Sequence, residues 1–160
     1  MKTILLVCTG NICRSPLGQA LFQRKLDAIQ PSGFRVKSAG TGAWDGASVS
    51  EGAYLVSLEN GFDLSGHRAQ LLTTELVNEA DLILTMARHH RVRALELGGN
   101  GKTYLLGEYS GESGPDAEVP DPFGGDIEVY RQTLEELDQF INIAVERVTL
   151  ELHESGQGEQ

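Results

Sequence analysis

Cysteine is scarce in this chain, with 2 among 160 residues. A secreted scaffold held by several disulfides needs more cysteines, and so does a zinc site built from four of them, so both classes are excluded. The two thiols are expected to stay reduced, as in a cytoplasmic protein. We expect no metal and no cofactor, because two cysteines without a nearby histidine are weak zinc ligands.

Long apolar runs are absent as well. No segment reaches the roughly 18 apolar residues of a membrane-spanning helix, so we expect no membrane partner. The apolar run near the start, residues 4–7, is shorter than the core of about 7–15 residues in a secretory signal. The sequence therefore predicts a cytoplasmic location.

Basic residues are rare in the last third of the chain. Residues 107–160 hold 14 acidic and 2 basic side chains, and the whole chain has a net charge of -10. Nucleic-acid binding needs a basic surface, so we exclude a nucleic-acid partner.

Apolar runs alternate with helical patterns along the chain. Strands are predicted at residues 4–7, 34–39, 82–84 and 103–106. Helices are predicted at residues 16–29, 74–79, 88–97 and from 127 onward, and one more helix is predicted to open at the capping box of residues 48–51 and to close at Asn60-Gly61. This alternation is typical of a single α/β domain with a four-stranded parallel sheet. We place the domain at residues 1–154, followed by a disordered tail at residues 155–160. The longest predicted loop, residues 107–125, is of a length that is usually functional or mobile.

Two helix starts and one helix surface are predicted from side-chain type. Ser15 before Pro16 is typical of an N-cap followed by the first helical residue. Residues 48–51 have the sequence of a capping box. Residues 88–97 contain three arginines and two histidines, which favours a solvated charged face.

The loop between the first strand and the first helix has the composition of an anion site. Cys8 ends the strand, and Arg14 follows after a glycine-containing turn. Backbone N–H groups at a helix start bind anions, and an arginine grips two phosphate oxygens. The helix dipole and Arg14 favour the thiolate of Cys8, which predicts a nucleophile facing a bound phosphate. The alternative is a buried structural cysteine beside an exposed arginine.

The segment from Cys8 to Pro16 resembles the phosphate-binding loop of the low-molecular-weight protein tyrosine phosphatases, in the bacterial branch that also includes protein arginine phosphatases. The resemblance covers about residues 3–150 and includes Ser38-Ala39-Gly40-Thr41, His67-Arg68-Ala69-Gln70 and Asp121-Pro122-Phe123. It implies helices on both faces of the four-stranded parallel sheet, with the phosphate-binding loop between strand 1 and helix 1.

The resemblance also implies roles for single residues. Cys8 is the nucleophile that forms a phosphocysteine, Arg14 binds the phosphoryl oxygens, and Asp121 is the general acid and then the base that activates water. Ser15 hydrogen-bonds the nucleophilic sulfur. The remaining loop residues around the phosphate are Thr9, Gly10, Asn11, Ile12 and Cys13.

Further residues are implied to support the loop. Asn11, Ser38 and His67 resemble a polar network that holds its backbone. Cys13 resembles a second cysteine that forms a reversible disulfide with Cys8 and protects it from over-oxidation. Taken alone, His67 is a satisfied or exposed histidine and Cys13 is a packed thiol.

Three positions bear on the substrate. Arginine phosphatases of the resembling branch carry threonine where this chain has Ile12, and a bulky apolar wall accepts a phenyl ring. Phe123 followed by Gly124-Gly125 resembles that branch and lacks the tyrosines that many members have there. Trp44 lies in a flanking loop, where it stacks on an aromatic substrate or anchors the loop. We therefore expect phosphotyrosine in proteins, with phosphoarginine as the alternative.

Other functions stay open. Arsenate reductases of similar sequence need further cysteines, and this chain has only Cys8 and Cys13. An inactive phosphoprotein-binding module disagrees with the presence of Cys8, Arg14 and Asp121. A redox-switch protein would be recognised by a Cys8–Cys13 disulfide at cytosolic potentials. A cognate kinase is a further possible partner.

Overall fold

The computed structural model describes residues 1–157, with side chains for residues 1–152. Its sheet has four strands in the order β2-β1-β3-β4, and every neighbouring pair is parallel. The strands are β1 Lys2–Cys8, β2 Phe34–Gly40, β3 Leu82–Thr85 and β4 Thr103–Leu105. The predicted α/β class and the four-stranded parallel sheet are confirmed.

Six α-helices and one 3-10 helix surround the sheet within residues 1–157. The α-helices are α1 Arg14–Ile29, α2 Glu51–Glu59, α3 Thr74–Glu79, α4 Arg88–Glu96, α5 Leu106–Tyr109 and α6 Ile127–Gln157. The 3-10 helix, Gly114–Ala117, and the end of α5 lie within the predicted loop at residues 107–125. Helix α6 passes the boundary expected at residue 154, and residues 158–160 of the expected tail lie outside the described residues.

The central strand β1 is buried on both faces. Ile4, Leu6 and Cys8 belong to the larger core cluster, with residues of α1 and α6. Leu5 and Val7 belong to a second cluster, with residues of α3 and α4. Helices cover both faces, which explains why the strand is a continuous apolar run instead of an alternating one.

The order of the strands determines where a crevice for a ligand opens on the sheet. From β1 the chain crosses to β2 on one side, and the later strands β3 and β4 lie on the other. In such sheets the crevice opens at the carboxyl ends of the strands where the winding direction reverses. Cys8, the last residue of β1, pairs with Gly40 at this edge.

Candidate active site

The Cys8 sulfur lies at the end of β1, below the start of α1. Its side chain is buried, with Ser15 Oγ at 2.9 Å, and the Asn11 backbone N–H donates to Sγ at 3.3 Å. Helix α1 begins at Arg14, so its N-terminus faces the same loop. Donors and a helix N-terminus around one sulfur stabilise negative charge on it.

Ser15 is not the N-cap of α1, so that prediction was wrong. The cap position is Cys13, which makes no side-chain cap bond. The Ser15 side chain is buried, and Asn11 Nδ2 donates to its oxygen at 2.8 Å. The serine O–H is therefore available to the Cys8 sulfur. The buried Cys8 sulfur and the buried Asn11 amide are stronger hydrogen-bond partners for this hydroxyl than the backbone N–H groups at the start of the helix.

Asn11 holds the loop in a left-handed conformation, with φ of 57°. Its side-chain amide donates to Ser38 Oγ at 2.9 Å, and its Oδ1 accepts from the Gln70 N–H at 2.9 Å. His67 Nε2 donates to the Asn11 carbonyl at 2.8 Å. A Cβ at Gly40 would overlap the Thr9 carbonyl, so β2 approaches the loop closely only with glycine there. The structure thus brings Asn11, Ser38 and His67 together.

Two glutamines in this network were missed as functional residues. Ser38 Oγ donates to Gln19 Oε1 at 2.6 Å, and Gln70 Nε2 donates to the Ser38 carbonyl at 2.9 Å. Gln70 lies within the segment 67–70 that carried part of the resemblance, whereas no sequence signal marks Gln19 on α1. Both fix Ser38, which in turn fixes Asn11.

Arg14 is buried and anchored by its terminal nitrogens. Nη1 donates to the Val119 carbonyl at 2.9 Å, Nη2 donates to Thr9 Oγ1 at 3.4 Å, and Asp121 Oδ2 lies 3.7 Å from Nη2. Its Nε is buried without a hydrogen-bond partner among the described residues. An unpaired buried donor on a cation is costly, and an oxyanion in the loop would satisfy it.

These groups line a cavity of ≈ 210 Å³. Its lining residues are Cys8, Thr9, Gly10, Ile12, Cys13, Arg14, Asp121 and Phe123. Phe123 is 66% exposed at the rim, and its N–H donates to Asp121 Oδ1 at 3.1 Å. Trp44 is 85% exposed and does not line this cavity. The cavity therefore combines a thiol, a guanidinium, a carboxyl group and an apolar wall.

Cys13 lines the cavity and also contacts two hydroxyl groups from other parts of the chain. Its sulfur lies 3.2 Å from Ser50 Oγ and 3.5 Å from the Tyr130 hydroxyl. Burial raises the pKa of the Cys13 thiol, and burial also raises the pKa of Tyr130 to about 12. Both cysteines are free. The raised pKa lowers the fraction of Cys13 that is present as the thiolate. Ser50 is also the N-cap of α2, where it accepts from the Ala53 N–H, so the helix start predicted from the capping box at residues 48–51 was wrong.

His90 is the main residue that the sequence analysis missed. It is fully buried, so the predicted solvated face of α4 is wrong at this position. Its Nδ1 accepts from the Ala87 N–H at 3.0 Å, and its Nε2 lies 2.8 Å from Thr9 Oγ1. Burial, followed by the charges of His89 and Arg14, lowers the pKa of His90 to about 3.

No group of three or more potential metal ligands occurs in the described part of the chain.

The lowered pKa of His90 predicts a pH-dependent stability. An unfolded histidine has a pKa of about 6.5, so between pH 6.5 and 3 the unfolded chain binds more protons. The contribution of the neutral His90 to the free energy of unfolding is therefore fully present above pH 6.5 and is lost as the pH falls toward 3. We expect the free energy of unfolding to drop by about 1 kcal/mol per pH unit between pH 6.5 and 5, measured by chemical denaturation.

Variants separate this contribution from those of other groups. His67, whose pKa is also lowered by burial, acts in the same direction. His90→Asn should flatten the slope, whereas His89→Asn, which removes only the second cause of the lowered pKa, should leave most of it. Equal slopes in all three proteins would contradict the assignment.

A family model described as low molecular weight phosphotyrosine protein phosphatase matches residues 3–154. The chain belongs to this phosphatase family. It is 37% identical to the probable low molecular weight protein-tyrosine-phosphatase EpsP of Ralstonia nicotianae, over 92% of this chain and 97% of that protein. It is 39% identical to the protein-arginine-phosphatase of Geobacillus stearothermophilus, again over 92% and 97% of the two chains.

Solved structures of phosphatases agree with this membership. The arginine phosphatase YwlE from Geobacillus stearothermophilus has a TM-score of 0.85 and 38% identity, over 96% of this chain and 97% of its own. The tyrosine phosphatase Wzb from Escherichia coli K30, in complex with sulphate, has a TM-score of 0.79 and 34% identity, over 92% and 98%. The family consists of cysteine-dependent hydrolases, so the protein is a phosphatase whose substrates are phosphorylated proteins.

No helix in residues 1–157 has the length and apolar character needed to cross a membrane.

Proposed function

We propose that this phosphatase hydrolyses phosphotyrosine in proteins through a phosphocysteine, with Cys8, Arg14 and Asp121 in the catalytic roles. One observation carries the proposal: the Cys8 thiol, the unpaired Arg14 Nε and the Asp121 carboxyl group belong to a single cavity. The Cys8 thiolate attacks phosphorus, and the bond to the tyrosine oxygen breaks as the S–P bond forms. The leaving oxygen takes a proton from Asp121.

The second step returns the enzyme to its starting form. The Asp121 carboxylate removes a proton from water, the water oxygen attacks phosphorus, and the S–P bond breaks to release inorganic phosphate and the thiolate. Ser15 Oγ, at 2.9 Å from the sulfur, stabilises the departing thiolate. Arg14 spreads the charge of the phosphoryl oxygens in both steps.

One solved relative supports a covalent step, and another supports phosphate binding. A solved structure of the arginine phosphatase YwlE is a cysteine-to-serine mutant with a phosphorylated active-site serine, and it has a TM-score of 0.85 with this chain. Wzb from Escherichia coli K30 has also been solved in complex with phosphate, at a TM-score of 0.75. These findings favour Cys8 as the residue that accepts the phosphoryl group.

Ile12 favours one of the two substrates that the relatives' names suggest. Its side chain is half-buried and lines the cavity together with the exposed Phe123 ring. Two apolar walls fit a phenyl ring, whereas a phosphoguanidinium needs polar partners for its remaining N–H groups. Phosphoarginine is the second candidate, favoured by the 39% identity to an arginine phosphatase.

A comparison of two peptides tests the preference. We expect kcat/KM of the wild type to be higher for a phosphotyrosine peptide than for a phosphoarginine peptide of the same sequence. Ile12→Thr should lower the phosphotyrosine value by about 10-fold, as expected for loss of apolar contact with a ring. Ile12→Val, which keeps an apolar wall, is the matched control. A wild-type preference for phosphoarginine would overturn the proposed substrate.

The other expectations are part of this proposal. The cytoplasmic location and a cognate kinase stay predictions from the sequence. The role of Trp44, as a stacking partner of an aromatic substrate or as an anchor of its loop, also stays a prediction. The Cys8–Cys13 disulfide is proposed as a protective state, since both thiols are present in the loop.

A further inference from the structure

The hydrogen bonds of His90 fix its tautomer. The Ala87 backbone N–H can only donate, so His90 Nδ1, 3.0 Å away, carries no proton. In the neutral ring the proton is then on Nε2, which donates to Thr9 Oγ1 at 2.8 Å. A neutral ring agrees with the pKa of about 3. His90 is therefore a fixed donor toward the phosphate-binding loop.

The Thr9 oxygen receives a second donor from Arg14. Nη2 of Arg14 lies 3.4 Å from Thr9 Oγ1. A hydroxyl oxygen has two acceptor lone pairs, and these two donors occupy both. The hydroxyl proton of Thr9 remains as a donor beside the cavity that Thr9 lines.

The segment from Met86 to His90, which includes the turn after β3 and the start of α4, therefore anchors Arg14 from two sides. On one side, His90 holds Thr9, which accepts from Nη2. On the other side, the Met86 carbonyl accepts from the Val119 N–H at 2.9 Å, and the Val119 carbonyl accepts from Arg14 Nη1 at 2.9 Å. Met86 itself donates its backbone N–H to Val7 of β1, so the turn is tied to the strand that ends in Cys8.

We propose that His90 is a positioning residue for phosphoryl transfer, which acts through the Thr9 hydroxyl to orient Arg14 and to direct the Thr9 proton toward the bound phosphoryl group. This role rests on the proposed function. Within the described residues, Arg14 has this contact and the Val119 bond as its hydrogen-bonded anchors, so a loss of His90 weakens one of the two. When the donors of Arg14 are misaligned, stabilisation of the transition state falls more than binding of the substrate does.

Two amide substitutions separate the two hydrogen bonds of His90. Asparagine places an acceptor near the position of Nδ1 and keeps the Ala87 bond, but it loses the donor to Thr9. Glutamine reaches the position of Nε2 with an N–H donor and keeps the Thr9 bond, but it loses the acceptor for Ala87. The exposed His89→Asn on the same helix is the matched control.

The test measures kcat and KM for p-nitrophenyl phosphate, together with thermal unfolding. We expect His90→Asn to lower kcat by about 3- to 10-fold, as for one hydrogen bond, and His90→Gln to recover most of that loss. Thr9→Val should lower kcat by a similar factor. The double variant His90→Asn/Thr9→Val should have a kcat no lower than that of either single variant. A merely structural role predicts instead that His90→Gln, without its Ala87 bond, is the more impaired enzyme.

Two results would overturn the proposal. One is a His90→Asn enzyme with wild-type kcat, and the other is a double variant whose losses multiply. A long-range proton–nitrogen NMR spectrum that places the His90 proton on Nδ1 would also contradict it. Inorganic phosphate binding by calorimetry tests the same five variants without turnover. A wild type that binds phosphate and hydrolyses nothing would reject the proposed function, while weaker phosphate binding in His90→Asn would still support this role.

Discussion

Replacement of Cys8 by serine is expected to abolish turnover while phosphate binding persists. The introduced hydroxyl would keep the contacts with Ser15 Oγ and the Asn11 N–H, at 2.9 and 3.3 Å in the wild type. A serine hydroxyl is a far weaker nucleophile and a poorer leaving group than a thiolate, so kcat should fall by at least about 10³-fold. In the proposed mechanism, backbone N–H groups of the loop and Arg14 hold the phosphate, and this substitution leaves them in place.

The measurement is kcat for an aryl phosphate, with phosphate affinity by calorimetry. Cys13→Ser is the matched control, because its sulfur contacts Ser50 and Tyr130, and it should keep turnover within about 10-fold. The intact mass of Cys8→Ser after incubation with substrate shows whether the introduced serine retains a phosphoryl group. Full activity of Cys8→Ser would contradict the covalent mechanism.

Asp121→Asn is expected to slow hydrolysis most for substrates with poor leaving groups. The Asp121 side chain is half exposed and lines the cavity with Cys8, so it reaches a leaving oxygen bound there. An amide cannot donate the proton, and the loss for a phenol of high pKa should be about 10²–10⁴-fold. A nitrophenol leaves without assistance, so its loss should be smaller.

A series of aryl phosphates with leaving groups of different pKa measures this difference. The logarithm of kcat/KM, which reports the step in which the leaving group departs, should fall more steeply with leaving-group pKa in Asp121→Asn than in the wild type. Asp126→Asn is the control, because Asp126 lies in the same loop and asparagine also caps α6 at the Val129 N–H. Parallel slopes in the two enzymes would reject Asp121 as the general acid.

Most of the fold follows from patterns that are local in the sequence. The run at residues 4–7 identified a strand buried on both faces, and the short helix at residues 74–79 was predicted with its observed bounds. Helix ends were less certain, because a side chain that caps a helix in isolation has competing partners in the folded protein. At Ser15 the buried Asn11 amide and Cys8 sulfur supplied those partners.

The site was predictable where a motif concentrates the chemistry and unpredictable where contacts come from distant segments. The residues from Cys8 to Ser15 stand together in the chain. His90 reaches Thr9 from 81 positions away and is surrounded by arginines in sequence, which gave it the appearance of a solvent-exposed residue. Val119 contributes only a backbone carbonyl, which no residue type reveals.

The left-handed residue of the loop has a consequence for how the enzyme loses activity. Asn11 is held by Ser38 on β2 and by the segment at residues 67–70, and β2 is an edge strand that pairs only with β1 within the sheet. Edge elements open locally at a lower free energy than the core. Fraying of this edge would release Asn11 and the catalytic loop while β1, β3 and their helices stay folded, so we expect activity to be lost at a lower temperature than that of global unfolding.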